Sequence, residues 1–255
     1  FNRSDVIYYY DHEYLWLPTL AFMKPIVSEK DFPTANKFVY LNAANVALMY
    51  SGAEKTITEW VADVAQNGSN NFDDHAEEYV FKELHQAAAQ LINAPADDIA
   101  GGSSATELLC SLAWAVSPGK DKNVVSTEIV FPSTVYPWQR VARSTGCEIR
   151  LAKEKNNFIH TDDIIALIDR NTAVVCISHV EYGNGQTYDL HLIADAAHEK
   201  GALLIVDATQ SAGSIPIDVQ ACPVDALISG AYKWLCGPFG AAFMYVAPHL
   251  AEKLE

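Results

Sequence analysis

Lys233 stands between Tyr232 and Trp234 and just ahead of Gly237-Pro238, an unusual setting for a solvated surface charge. Asp207 closes the apolar run Leu203-Leu204-Ile205-Val206 and is followed by Ala208, Thr209 and Gln210. The segment Gly101-Gly102-Ser103-Ser104-Ala105-Thr106-Glu107 opens a helical stretch with small hydroxyl residues, a composition suited to holding phosphate at a helix start. Taken singly, such residues have ordinary explanations. Ser104-x-x-Glu107 fits a capping box, Asp207 a turn or cap, His179 a satisfied buried histidine and Cys236 a small buried hydrophobe. Taken together, a hydroxyl-rich helix start, an acid, a lysine and an aromatic suit one ligand type. It is a phosphorylated, flat, cationic heterocycle that forms a Schiff base.

The elements that must position these residues are legible as periodicities. Short β-rich runs are expected at 123–127, 148–152, 173–178, 202–206, 226–229 and 241–246, alternating with helices at 135–144, 162–168 and 190–200. Earlier helices are expected around Ile57, Trp60, Val61 and Val64, ending at Asn67-Gly68, then over 73–92 and 104–116. Strands apolar on both faces, alternating with helices, predict an α/β fold: three layers around a mostly parallel sheet. In such sheets ligands bind beyond the carboxyl ends of the strands, where Asp207, His179, Phe131 and the Lys233 segment all fall. Residues 1–36 lack a clear period and are expected to form an N-terminal extension, with one large domain over 37–255.

Composition narrows the partners. With 32 acidic against 17 basic residues and a net charge of −15, the chain lacks the basic footprint of a nucleic-acid binder. No run approaches the roughly 20 apolar residues that span a bilayer, so no membrane partner is expected. The N-terminal stretch does not read as a secretory signal. Five scattered cysteines, never spaced Cys-x-x-Cys, point to a reducing, cytoplasmic setting rather than a disulfide framework or zinc site. His191 and His198 are too far apart for a paired metal site. Gly183-Asn184-Gly185 lacks the third glycine of a dinucleotide fingerprint, and no phosphate loop ending in Lys-Ser/Thr is present. The chain opens on Phe1 and stops at Glu255 in what reads as a young helix, so a fragment is expected.

Four segments in order resemble the class V aminotransferase group of fold-type I pyridoxal-phosphate enzymes. That group includes cysteine desulfurases, kynureninases and isopenicillin-N-epimerase-like proteins. The segments are Ser-Ala-Thr-Glu at 104–107, Phe-Pro-Ser-Thr-Val-Tyr-Pro-Trp at 131–138, Val-Asp-Ala-Thr-Gln-Ser-Ala-Gly at 206–213, and Ser-Gly-Ala-Tyr-Lys-Trp-Leu-Cys-Gly-Pro-Phe-Gly at 229–240. The resemblance implies the aspartate aminotransferase-like large domain and pyridoxal 5'-phosphate as cofactor. It makes Lys233 the Schiff-base lysine and Asp207 the partner of the pyridine nitrogen. Gln210 is similar to the residue that hydrogen-bonds the phenolic oxygen, Ala105 and Thr106 to the phosphate-gripping turn, and Tyr232 to a tyrosine that reaches the phosphate.

Where desulfurases carry a stacking histidine this chain has Phe131, expected on the cofactor face. Where they carry Ser-Gly-His-Lys it has Ala231-Tyr232 before the lysine, and where they carry Ser-Asn near the ring oxygen it has Glu181-Tyr182. The resemblance further implies a homodimer, an amino-acid substrate and a C-terminal small domain that is absent here. The implied reaction is lyase chemistry at or beyond Cβ, with carbon–sulfur cleavage favoured. An aminotransferase or epimerase of the same family stays open, as do a non-catalytic member and a nucleotide-binding module.

Overall fold

The apolar runs read as strands are the interior of one sheet. The computed structural model describes residues 28–254. Most of the proposed N-terminal extension, 1–27, therefore lies outside the described residues, and 28–36 form two 3-10 turns, Glu29–Asp31 and Pro33–Asn36. The regular elements in chain order begin with α1 (Ser51–Asn67), α2 (Asp74–Tyr79), α3 (Lys82–Ile92), β1 (Ile99–Gly102), α4 (Ala105–Val116), β2 (Asn123–Thr127) and α5 (Pro132–Thr145). They continue with β3 (Glu148–Ala152), α6 (Thr161–Ile165), β4 (Thr172–Ser178), α7 (Leu190–Glu199), β5 (Leu203–Asp207), β6 (Ala226–Gly230), β7 (Ala242–Val246) and α8 (Pro248–Ala251).

The seven strands lie in the order β1-β7-β6-β5-β4-β2-β3. The pairings from β3 through β6 are parallel, and β7 runs antiparallel to both β6 and β1. One face of the sheet packs against α4, α5 and α8 through Leu109, Trp138 and Leu250. The other packs against α3, α6 and α7 through Ile92, Ile164 and Ile193. Every residue of β2 and β6 is buried, the polar Asn123, Ser126, Thr127 and Ser229 included, as in strands covered by helices on both faces. Because β2, β4, β5 and β6 run the same way, Thr127, Ser178, Asp207 and Gly230 arrive at one edge.

The helix expected over 73–92 is two helices. Ala88, Ala89 and Ile92 bury the second half, whereas α2 buries nothing. A short helix without a packed face has little to hold it, so the ladder breaks at Val80-Phe81. Helix α1 ends as expected at Gly68, which takes a positive φ of 62° and donates its N–H to the Val64 carbonyl. Its apolar residues Ile57, Trp60, Val61 and Val64 are all exposed among the described residues.

The opposite, amino-terminal edge is closed by one carboxylate. Asp225, just before β6, is buried and accepts from the Leu204 backbone N–H at 2.6 Å. Its oxygens also meet His198 Nε2 at 2.9 Å and His249 Nε2 at 2.6 Å, joining α7, β5 and α8. Replacing Asp225 by Ala strands these partners and is expected to lower stability by about 1.5–3 kcal/mol. Urea unfolding reads this as a lower midpoint at constant slope; an unchanged midpoint contradicts the assignment.

Candidate active site

Two loops at the carboxyl edge bring a lysine and a carboxylate together. Asp207 ends β5, and Lys233 lies three residues beyond β6 in the loop to β7. That loop is folded tightly: Cys236 N–H donates to the Lys233 carbonyl and Gly237 N–H to the Ala231 carbonyl, both at 2.9 Å. Cys236 takes a left-handed φ of 53° and is half-buried rather than the fully buried hydrophobe its type suggests. The turn after Asp207 packs on this loop at Gly213, where φ is 88° and a Cβ would sit 2.7 Å from the Trp234 carbonyl oxygen. Only glycine allows that approach.

Both charged side chains are buried, Asp207 at 5% exposure and Lys233 at 7%. Asp207 Oδ2 accepts from Thr134 Oγ1 at 2.8 Å, and Oδ1 accepts from the Thr209 N–H at 3.0 Å. Lys233 makes no ion pair among the described residues. Burial pushes its amine below the usual lysine range, and the charge of Asp207 offsets part of that effect. Its Nζ lies 5.6 Å from the Phe131 ring centroid and 5.8 Å from that of Tyr232. Phe131 meets Tyr182 edge to face at 5.2 Å, and Tyr232 stacks on Phe239 at 4.6 Å.

Helix α4 supplies the third wall. Ser104 caps it by accepting from the Glu107 N–H, and the Glu107 carboxylate turns back to the N–H and hydroxyl of Ser103 at 2.7 and 2.6 Å. The capping box and the open helix start therefore coexist. These bonds hold Glu107 below the usual carboxylate range, and the N–H groups of Ala105 and Thr106 find no acceptor among the described residues.

The seven residues expected at the cofactor site line one cleft: Ala105, Thr106, Phe131, Asp207, Gln210, Tyr232 and Lys233. Gln210 is committed on both sides of its amide. Nε2 donates to the Ala44 carbonyl and Oε1 accepts from Trp234 Nε1, each at 2.9 Å. It thus ties the Tyr40–Tyr50 segment to the lysine loop, helped by Ala47 N–H on the Tyr232 carbonyl and Tyr50 N–H on the Cys236 carbonyl.

His179 lies outside the cleft, and its Nδ1 is buried without a partner among the described residues, so it is not the satisfied histidine expected. Sequence reasoning missed Thr134 and Thr209. Thr134 lies one turn beyond Phe131 at the start of a helix aimed at this edge, a signal that could have marked it.

The set fits pyridoxal 5'-phosphate on physical grounds. Two unpaired N–H groups at a helix start suit a phosphate, and a hydrogen-bonded buried carboxylate suits a protonated ring nitrogen. An amine with a depressed pKa suits covalent attachment. Among the described residues there is no cluster of three or more acids, histidines or cysteines able to hold a metal, and no helix long and apolar enough to cross a membrane.

Comparison with known proteins agrees with this geometry. The chain is 31% identical over 224 residues to an uncharacterized aminotransferase, YcbU, of Bacillus subtilis, covering 88% of this chain and 59% of that one. It is 28% identical to a probable cysteine desulfurase of Methanothermobacter thermautotrophicus (92% and 60% covered) and 28% identical to a kynureninase of Geobacillus thermodenitrificans (90% and 58%). The chain therefore spans about three fifths of the length of these relatives. Among solved structures, a mutant of the cystine C–S lyase C-DES with glycine covalently linked to its PLP cofactor superposes with a TM-score of 0.80 at 20% identity, covering 90% of this chain and 62% of that one. A cysteine desulfurase from Thermococcus onnurineus gives 0.77 at 21%, covering 89% and 58%. These likenesses show the same mostly parallel fold. The family model for class-V aminotransferases matches residues 39–255, and the chain belongs to that family.

Proposed function

We propose that this chain is the pyridoxal-phosphate-binding part of an enzyme acting on an amino acid. The favoured reaction is cleavage at or beyond Cβ, carbon–sulfur cleavage first among the options. The observation that carries the cofactor assignment is the buried Lys233, without an ion pair among the described residues, in one cleft with the hydrogen-bonded carboxylate of Asp207. The names of the relatives, desulfurase and kynureninase, support cleavage, while YcbU keeps an aminotransferase as the alternative. A homodimer in a reducing, cytoplasmic setting belongs to the same reading. All five cysteines are free thiols, and the exposed apolar face of α1 offers a surface for association.

Bound pyridoxal phosphate would supply an electron sink for charge developing at the substrate Cα. The chain's own residues do the rest. Ala105 and Thr106 would hold the phosphate through backbone N–H groups, and Asp207 would keep a proton on the ring nitrogen. Thr134 and Thr209 orient that carboxylate. Phe131 would pack a flat face but carries no titratable group, so proton movement at Cα would fall to the Lys233 amine or to the substrate itself. Its depressed pKa leaves more of it unprotonated at a given pH than a surface lysine would be.

Borohydride reduction of the cofactor-loaded protein followed by peptide mapping is expected to place the cofactor mass on Lys233; mass on another lysine, or on none, refutes the assignment. Asp207→Asn should weaken cofactor binding by about 1.5–3 kcal/mol, and Thr134→Val, which removes one neutral donor, by roughly 0.5–1.5 kcal/mol. Fluorescence titration with the cofactor measures both, and wild-type affinity in Asp207→Asn rules out its role. Phe131→Ala should loosen cofactor retention roughly two- to tenfold through lost stacking. The pH profile should show no missing ionisation near neutrality; unchanged affinity would return Phe131 to a packing role.

A further inference from the structure

Glu181 is the most buried carboxyl group outside the cleft lining, at 1% exposure. It lies between Val180 and Tyr182, which both line the cleft, while Glu181 itself is not among the lining residues. Oε1 accepts from Thr127 Oγ1 at 2.8 Å and from the Tyr188 hydroxyl at 3.1 Å. Oε2 is buried and has no partner among the described residues. The Glu181 backbone closes the turn that carries Tyr182: its N–H donates to the Gln186 carbonyl at 2.8 Å, and its carbonyl accepts from the Gly185 N–H at 2.9 Å. Tyr182 in turn braces Phe131, the ring beside the Lys233 amine.

We propose that Glu181 is a positioning residue for the cleft. Through Thr127 and Tyr188 it pins the 181–186 turn to β2, and so holds Tyr182 and Phe131 as the wall over Lys233. This role rests on the reading of the cleft as the cofactor site, although the anchoring itself does not.

The chemistry of the anchor follows from its surroundings. Two hydroxyl donors converge on one oxygen while the other is buried without a partner among the described residues, an arrangement a neutral carboxylic acid tolerates better than a carboxylate. Burial raises the Glu181 pKa above the usual carboxylate range; the hydrogen bonds from Thr127 and Tyr188 oppose the rise, and the charge of Asp207 on β5 adds to it. The other titratable neighbours are His179, which burial keeps neutral to lower pH, and Tyr188, whose hydroxyl is pushed well above the usual tyrosine range. A group whose native pKa is raised contributes fully below its unfolded value and loses that contribution as pH climbs through the native value. The turn is therefore held tightest in acid and loosens as Glu181 ionises.

Hydrogen exchange read by mass spectrometry on the full chain, corrected for the intrinsic pH dependence, tests this. Peptides covering 180–188 should exchange at least tenfold faster in Glu181→Ala than in the parent at pH 5, with Glu181→Gln close to the parent. Thr127→Val, which keeps the shape and removes one donor, should fall between them. Protection in the parent should decline with rising pH, and in Glu181→Gln it should stay flat. With cofactor added, Glu181→Ala should lose at least half of the visible circular dichroism of the parent while Lys233 is still labelled by borohydride. Parent-like protection in Glu181→Ala, a pH decline that persists in Glu181→Gln, or unchanged dichroism in Glu181→Ala overturns the proposal. Absence of Lys233 labelling in the parent strikes the cofactor reading instead, and the exchange comparison still decides the anchor.

Discussion

The site depends on keeping Lys233 buried without letting it collapse onto Asp207. An ammonium and a carboxylate in a low-dielectric cleft attract each other strongly, and a closed ion pair would leave neither group available. The fold prevents this by satisfying the carboxylate elsewhere, with one oxygen on the Thr134 hydroxyl and the other on the Thr209 N–H. Lys233 is left with the faces of Phe131 and Tyr232 and a long-range attraction to Asp207. Desolvation therefore dominates its proton affinity.

That separation is set by the backbone. Parallel strands deliver Asp207 and the Lys233 loop to the same edge, and the start of α5 brings Thr134 over from the flanking layer. Phe131 and Pro132 set the entry to α5: an extended residue followed by proline in the first helical turn fixes the direction in which Thr134 projects. The close approach at Gly213 then locks the Asp207 turn to the lysine loop. Gln210 adds a polar clasp between the loop and the Tyr40–Tyr50 segment, so one side chain joins three parts of the chain at the mouth of the cleft.

The two edges of the sheet carry their buried acids differently. At the amino-terminal edge Asp225 has a donor for each oxygen and serves to hold layers together. At the carboxyl edge, Asp207 also has a donor for each oxygen but lines the open cleft, and Glu181 Oε2 has no partner among the described residues.

The sequence by itself determined most of the elements and seven of the residues that line the cleft. Alternation of apolar strands with amphipathic helices is a local signal, so β2, β3 and α7 fall where their periods begin and end, give or take a residue. The seven cleft residues were legible because each follows a strand or opens a helix in a recognisable segment. The break between α2 and α3 was not, because helical periodicity runs through Val80-Phe81 and only burial of Ala88, Ala89 and Ile92 decides which half is held. Nor were the pairings of Thr134 with Asp207, Thr127 with Glu181, or His198 and His249 with Asp225. Those partners lie 73, 54, 27 and 24 residues apart. Propensity and period act over a few residues, whereas a hydrogen bond across such distances exists only once strand order and layer packing have set which side chains share a buried space.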